Sequence, residues 1–221
     1  MLVRGGPLMA VLLVLSTFAL AILLTKSWQF LRAGLRRLAF VDSSMAVLES
    51  AGAEAALAAL DVERNPVARV MRTAVAVGSN ATLGSAAAQA EVARVGTREV
   101  RALESWLRAL SSIAHLSPLV GLLGTVLGMI AAFMRIEEAG STVDPALLSA
   151  GIWQALITTA AGLTIAIPSM AAYHFFEGEV DRVRAAMEDA AVRVLARFDK
   201  LSVDRLAFGS VHVDGDDDHA V

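Results

Sequence analysis

Charged residues fall in blocks along the chain, and the long apolar stretches between the blocks predict its elements. No Asp, Glu, Lys or Arg occurs at residues 5–25, 109–134 or 145–176. A helix needs roughly 20 apolar residues to cross the hydrocarbon core of a bilayer, so each stretch holds one span. The pattern places spans at residues 6–25, 116–134 and 149–172. A shorter uncharged stretch, residues 73–90, is interrupted by Gly78-Ser79-Asn80 and is too polar to cross.

The first span has two readings. Arg4 ahead of an apolar run, with Ala19-Leu20-Ala21 as a small-residue cleavage site, fits a signal peptide. Cleavage would leave Lys26, Arg32, Arg36, Arg37 and the arginines up to Arg108 outside, against the tendency of basic loops to stay in the cytoplasm. A retained helix keeps only Arg4 outside and places those basic residues inside, which favours retention with the N-terminus, residues 1–5, in the periplasm. Residues 26–115 then form a cytoplasmic domain, and residues 135–148 a periplasmic loop in which Arg135 stands against Glu137, Glu138 and Asp144. From residue 173 the chain is cytoplasmic again, with Arg182 and Arg184 near the membrane.

The cytoplasmic segments read as helices. Residues 46–60 are alanine-rich, Asn65-Pro66 interrupts the pattern, and residues 67–77 resume it before Gly78-Ser79-Asn80. Residues 85–110 read as one further long helix. Its Arg94, Arg98, Arg101, Glu104 and Arg108 recur at three and four and form a solvated or partner-facing surface. Residues 173–208 continue the third span as an amphipathic helix, and residues 209–221 form an acidic tail without the alternating acidic spacing of a calcium loop. The fold class is an all-α integral membrane protein with three transmembrane helices and long cytoplasmic helical extensions.

Composition sharpens this picture. Hydrophobic residues make up 56% of the chain but aromatic ones only 5%, so the apolar surplus is small and aliphatic and suits helices that pack closely in lipid. With no cysteine, disulfides, thiolate metal sites and cysteine nucleophiles are excluded together. A net charge of −3 is too mild to suggest a nucleic-acid partner, and no basic run with interleaved aromatics occurs.

Within the second span Gly121, Gly124, Thr125 and Gly128 recur at three and four, and in the third span Gly151, Ala155, Thr159 (or Thr158), Gly162 and Ala166 do the same. Small-residue stripes let helix backbones approach closely where no hydrophobic drive exists. A lone membrane threonine commonly bonds back to its own helix, and the place of Thr125 in a stripe points instead to a neighbour. Gln154 lies one turn before Thr158, so amide and hydroxyl are within reach. Pro168 removes the donor for the Thr164 carbonyl and favours a kink; Pro118 does likewise, or else Ser117-Pro118 is an N-cap followed by the first helical position. His115 and His174, at the membrane edges, read as interfacial or packing residues, with a proton-relay role as the lesser alternative. None of the spans contains an acid or a base, so if the protein handles protons the acid comes from another chain.

Leu116-Ser117-Pro118-Leu119-Val120-Gly121-Leu122-Leu123-Gly124-Thr125-Val126-Leu127-Gly128-Met129, followed by residues 151–168 (GIWQALITTAAGLTIAIP), resembles the ExbB/TolQ/MotA proton-channel family. The three-span layout is similar to ExbB and TolQ rather than to the four-span MotA. The resemblance implies a bacterial inner-membrane motor subunit, five copies of which enclose the transmembrane helices of two copies of an ExbD- or TolR-like partner. That partner's single intramembrane aspartate accepts the proton. Pore-facing threonines that flank the aspartate fall on Thr125 and Thr159, with Gln154 and Thr158 as supporting polar residues and the glycine stripes packing the pentamer. Proton flow then drives a TonB-like protein for outer-membrane transport or, in the alternative TolQ-like role, a TolA-like protein of the Tol-Pal system. The resemblance implies no enzymatic activity and no cofactor, the transported ion being the proton. Many relatives carry glutamate where Gln154 stands, and glutamine cannot titrate, so a proton-relay role there is not implied.

Two readings from other classes compete. An intramembrane serine protease would need a nucleophile and base from separate elements, but Ser111 and Ser112 sit beside His115 in sequence, and neither Gly-x-Ser-x-Gly nor HExxH occurs. A passive scaffold would leave Gln154, Thr158 and Thr159 without a wetted path to line.

Overall fold

A computed structural model of the chain describes residues 6–80, 82–139 and 145–211. These residues form helices α1 (Gly6–Ala33), α2 (Ala39–Asp61), α3 (Pro66–Gly78), α4 (Ser85–Glu104), α5 (Leu107–Ala139) and α6 (Pro145–Val211), and no strand occurs among them. Residues 1–5, residues 140–144 of the outer loop and residues 212–221 of the acidic tail lie outside the described residues. Among the described residues three stretches are long and apolar enough to cross a membrane: Pro7–Ala33, one within Ser85–Glu138 and one within Ser149–Asp199. The chain is thus an all-α protein with three candidate spans. It divides into two compact units, Met1–Gln29 with Glu104–Gly178, and Phe30–Leu103 with Glu179–Val221.

In the first unit α5 and the first part of α6 run antiparallel, and their small-residue stripes face each other. A Cβ placed on Gly162 would lie 2.5 Å from the Ser117 carbonyl oxygen. On Gly121 it would lie 3.0 Å from the Thr158 carbonyl oxygen and the Thr159 Cα, on Gly124 2.8 Å from the Thr158 side chain, and on Gly128 3.0 Å from the Ala155 Cβ. Gly151 meets Ala132 in the same way. Pairing of 162 with 117, 155 with 128 and 151 with 132 is the reversed order of an antiparallel pair. The glycine faces therefore meet each other within one chain. Backbones this close leave no room for a second helix on that face. On α1, Leu12, Ala19 and Ile22 are buried, while Leu13, Val14, Phe18, Leu20 and Leu24 are exposed, the one-sided burial of a lipid-facing helix.

The break ahead of the second span falls elsewhere than the sequence pattern places it. Residues 85–110 do not form one helix: α4 stops at Glu104, Trp106 adopts a left-handed φ of 66°, and α5 begins at Leu107. Ser117 and Pro118 consequently lie inside α5, not at its N-terminus, and the N-cap alternative is excluded. Ser117 is buried and donates its hydroxyl to the Ile113 carbonyl at 2.7 Å. Neither Pro118 nor Pro168 ends its helix.

The second unit is organised around α3. Asn65 caps it, its Oδ1 accepting from the Val67 N–H at 2.9 Å, and Pro66 fills a first-turn position that needs no donor. The Asn65 Nδ2 donates to the carbonyls of Gly34 (3.1 Å) and Arg37 (3.3 Å), tying the turn between α1 and α2 to the start of α3. Gly34 sits in that turn at φ 58°, where a side chain would be strained. Val67, Val70, Met71, Ala74 and Val75 of α3 are buried, and on α6 Val183, Met187, Ala190 and Val194 repeat a core stripe at three and four. Two buried carboxylates are held by arginines: Glu179 by Arg36 (2.6 Å) and Arg182 (3.1 Å), and Glu99 by Arg69 (2.5 Å).

Asn65→Ala removes the cap and the side-chain donor to the Gly34 and Arg37 carbonyls, the first of which keeps the Arg37 N–H, and lowers stability by about 2 kcal/mol in thermal unfolding of the detergent-solubilised protein. Asn65→Asp, which retains only the cap, falls between. Gly96→Ala, in the interior of α4 with open space around it, raises stability by about 0.5–1 kcal/mol, whereas Gly162→Ala, against the Ser117 carbonyl, lowers it by about 1–3 kcal/mol.

Candidate functional site

The polar residues of α5 and α6 divide into those enclosed between the helices and those left partly open. Thr158 is enclosed, 2% exposed, with its side chain against Gly124. Its hydroxyl donates to the carbonyl oxygens of Ala155 (2.7 Å) and Gln154 (3.0 Å), so it reaches the backbone of Gln154 rather than the side-chain amide. Gln154 is half-buried, one turn away on α6.

Thr159 is half-buried, and its hydroxyl crosses from α6 to α5 to donate to the Gly121 carbonyl at 2.9 Å. That carbonyl is also the one to which the Thr125 backbone N–H points by the i to i−4 rule of the α-helix. The backbone N–H of Thr125, along α5, and the hydroxyl of Thr159, from across the helix pair, therefore address the same carbonyl oxygen. The Thr125 hydroxyl donates to the Leu122 carbonyl at 2.7 Å, and its side chain is also half-buried. The glycine contacts make the arrangement possible, since only a residue without a side chain at 121 lets the Thr159 backbone come near enough for the hydroxyl to reach the carbonyl.

The histidines sit at the ends of this region. The Nδ1 of His115 lies 2.8 Å from the Ser111 carbonyl, which only accepts, so Nδ1 carries the proton. His174 Nδ1 lies 3.2 Å from Glu177 Oε2, and the Tyr173 hydroxyl donates to Glu177 Oε1 at 2.6 Å.

Sequence reasoning passed over Lys26. It follows the first apolar stretch and is counted there only as a basic loop residue, yet it is 2% exposed, its Nζ donating to Gln29 Oε1 (2.9 Å) and Ser105 Oγ (3.2 Å). The signal available beforehand was the Lys-x-x-Gln spacing on one helix face. The Ser105 partner, beside the left-handed Trp106, carried none.

The chain is 43% identical over 84 residues to the biopolymer transport protein exbB1 of Vibrio cholerae, covering 38% of this chain and 37% of the relative. It is 32% identical over 134 residues to an ExbB homologue of Methanothermobacter thermautotrophicus, covering 61% and 46%. To the Tol-Pal system protein TolQ of Haemophilus influenzae it is 42% identical over 77 residues, covering 35% and 33%. These matches span between a third and a half of the relatives' lengths. The profile of the MotA/TolQ/ExbB proton channel family matches residues 62–189, more than half of the chain, and takes in α3, α4, α5 and most of α6. With three candidate spans and the polar pair Thr125 and Thr159 on the matched helices, the chain is a multi-pass inner-membrane protein that belongs to the MotA/TolQ/ExbB proton channel family.

Proposed function

We propose that this chain is an ExbB-like channel subunit that works as a homopentamer around an ExbD-like single-span partner and converts proton flow into mechanical work on a TonB-like protein. The observation that carries the reading is the cross-helix bond from the Thr159 hydroxyl to the Gly121 carbonyl, one turn before Thr125, in spans that hold no acid or base. A proton path through lipid needs a titratable group or water. Polar side chains without such a group fit a path completed by a carboxyl from a second chain. Thr158 and Gln154 then support the lining from behind, Thr158 from within the helix pair. One charge crossing 100 mV yields about 2.3 kcal/mol, so a few protons suffice to turn a helix pair within a ring.

The proposed topology has the N-terminus in the periplasm and residues 26–115 and the C-terminal part of α6 in the cytoplasm, as the basic residues after the first span favour. The reading is of a channel without cofactor or enzymatic chemistry, carrying protons. The TolQ relative supports a second reading, the same motor acting on a TolA-like protein for envelope integrity.

Co-expression with an ExbD-like chain should yield a stable complex. Within it, Thr159→Val should lower proton-driven uptake by about tenfold or more, the loss of a hydrogen bond worth about 1.5 kcal/mol, while Thr159→Ser retains most of it. Unchanged uptake in an assembled double variant, Thr125→Val with Thr159→Val, would sink the pathway assignment. A host defect in detergent resistance, without one in receptor-mediated uptake, would select the TolQ-like role.

A further inference from the structure

The turn of α6 that follows the third span gathers three polar side chains. Tyr173 and His174 precede Glu177 by four and three residues, so both stand one helical turn from its carboxylate. Each carboxylate oxygen has its own neighbour: the Tyr173 hydroxyl donates to Oε1 at 2.6 Å, and His174 Nδ1 lies 3.2 Å from Oε2. The tyrosine ring also meets the imidazole edge-on, with centroids 5.2 Å apart, which fixes how the imidazole stands.

These contacts assign the protons. Hydrogen bonds from Tyr173 and then from His174 hold the Glu177 carboxyl below its ordinary range, so it is ionised near neutral pH. A carboxylate only accepts, so Nδ1 of the neutral imidazole carries the hydrogen and Nε2 carries the lone pair. A proton taken up at Nε2 makes an imidazolium that keeps its bond to Glu177 and gains an opposite charge to face. His115, the other edge histidine, gives its Nδ1–H to the Ser111 carbonyl, which offers no full charge. The side chains of His174 and Glu177 are both exposed, so a proton held there can leave to water.

Other charges stand farther off. Along α6, Glu179 is held by Arg36 and Arg182, and Asp181 by Arg184. Continuing the Ser117–Gly162 contact down both helices brings residue 174 level with residue 105, so α5 contributes Glu104 and Arg108 near this level, one of each sign. On α1 the charge at this level is Lys26, bonded to Ser105. Glu177, in direct contact, is the charge the imidazole feels most.

We propose that His174 is the proton-release group at the cytoplasmic end of the path, with Glu177 and Tyr173 as the residues that position it. A proton leaving the spans through water is taken at Nε2, and the imidazolium then gives it from Nε2 to cytoplasmic water or buffer, which restores the neutral ring. The inference rests on the reading of this chain as a proton channel with this end of α6 in the cytoplasm. Unlike the partner's acid, this group belongs to the chain itself and stands outside the spans.

The test measures proton flux through the complex with the ExbD-like chain, reconstituted in proteoliposomes with the cytoplasmic side outward. The outer medium is weakly buffered and taken from about pH 5.5 to about 8.5, on either side of the ordinary imidazole value. Wild-type flux should rise across this range as release from the imidazolium becomes downhill. His174→Gln should lower the flux by about tenfold and flatten its pH dependence, the remainder passing through water. Imidazole added to the outer medium should restore it, because a free base replaces the lost one, a rescue that a merely structural role would not show. Glu177→Gln should keep the pH dependence but move its midpoint down by about one pH unit, since the imidazolium loses its counter-charge. Unchanged flux in His174→Gln, a loss that imidazole leaves in place, or an unmoved or raised midpoint in Glu177→Gln overturns the proposal. A wild-type complex that passes no protons defeats the channel reading itself, and the proposal with it.

Discussion

The close approach of α5 and α6 across opposed glycines is the constraint on which the rest of the first unit depends. In lipid no hydrophobic gain comes from burying one apolar helix against another, so contact must come from tight packing and polar bonds. Gly121, Gly124, Gly128, Gly151 and Gly162 each stand where a methyl group would collide with the facing helix. This closeness turns the Thr159 hydroxyl into a cross-helix ligand of the Gly121 carbonyl, where at ordinary spacing it would have bonded back within α6. Packing and polarity are in this sense one feature.

The two units handle polar groups differently, for one physical reason. Where water is scarce, an unpaired charge is far costlier than an unpaired dipole, and residues 116–134 and 149–172 hold only hydroxyls, the Gln154 amide and the Trp153 indole as polar side-chain groups, the hydroxyls shown engaged with backbone carbonyls. In the second unit, carboxylates are buried but each is met by arginine, Glu179 by two and Glu99 by Arg69. Breaking such a pair strands a charge, which makes these contacts constraints on the local fold more than sources of stability.

Much of the site was readable in advance because its signals are local. A run of uncharged residues long enough to span, glycines at three and four, and two threonines within those stripes need no tertiary information to be noticed. Which threonine faces which neighbour was not readable, because Thr158 and Thr159 are adjacent and 100° apart on the helix. A small rotation exchanges their roles, and the facing glycine decides the matter. Thr158 fills the notch at Gly124, and Thr159 reaches the Gly121 carbonyl. Asn65 behaves in the same way, for its cap on α3 follows from Asn-Pro alone, while its bonds to the Gly34 and Arg37 carbonyls depend on a turn roughly thirty residues away.

The sequence by itself determined that this is a helical membrane protein with three spans, that its second and third spans carry small polar faces, and that any acid in the path is foreign to them. Those properties follow from length, charge placement and periodicity, which act within a single helix. Tertiary structure alone decided that the two glycine faces meet each other inside one chain, that Lys26 is buried beside Ser105, and that the break before the second span falls at Trp106 and not at Pro118. Each of these turns on which backbone lies opposite which, and periodicity along one strand of sequence carries no information about the partner across from it.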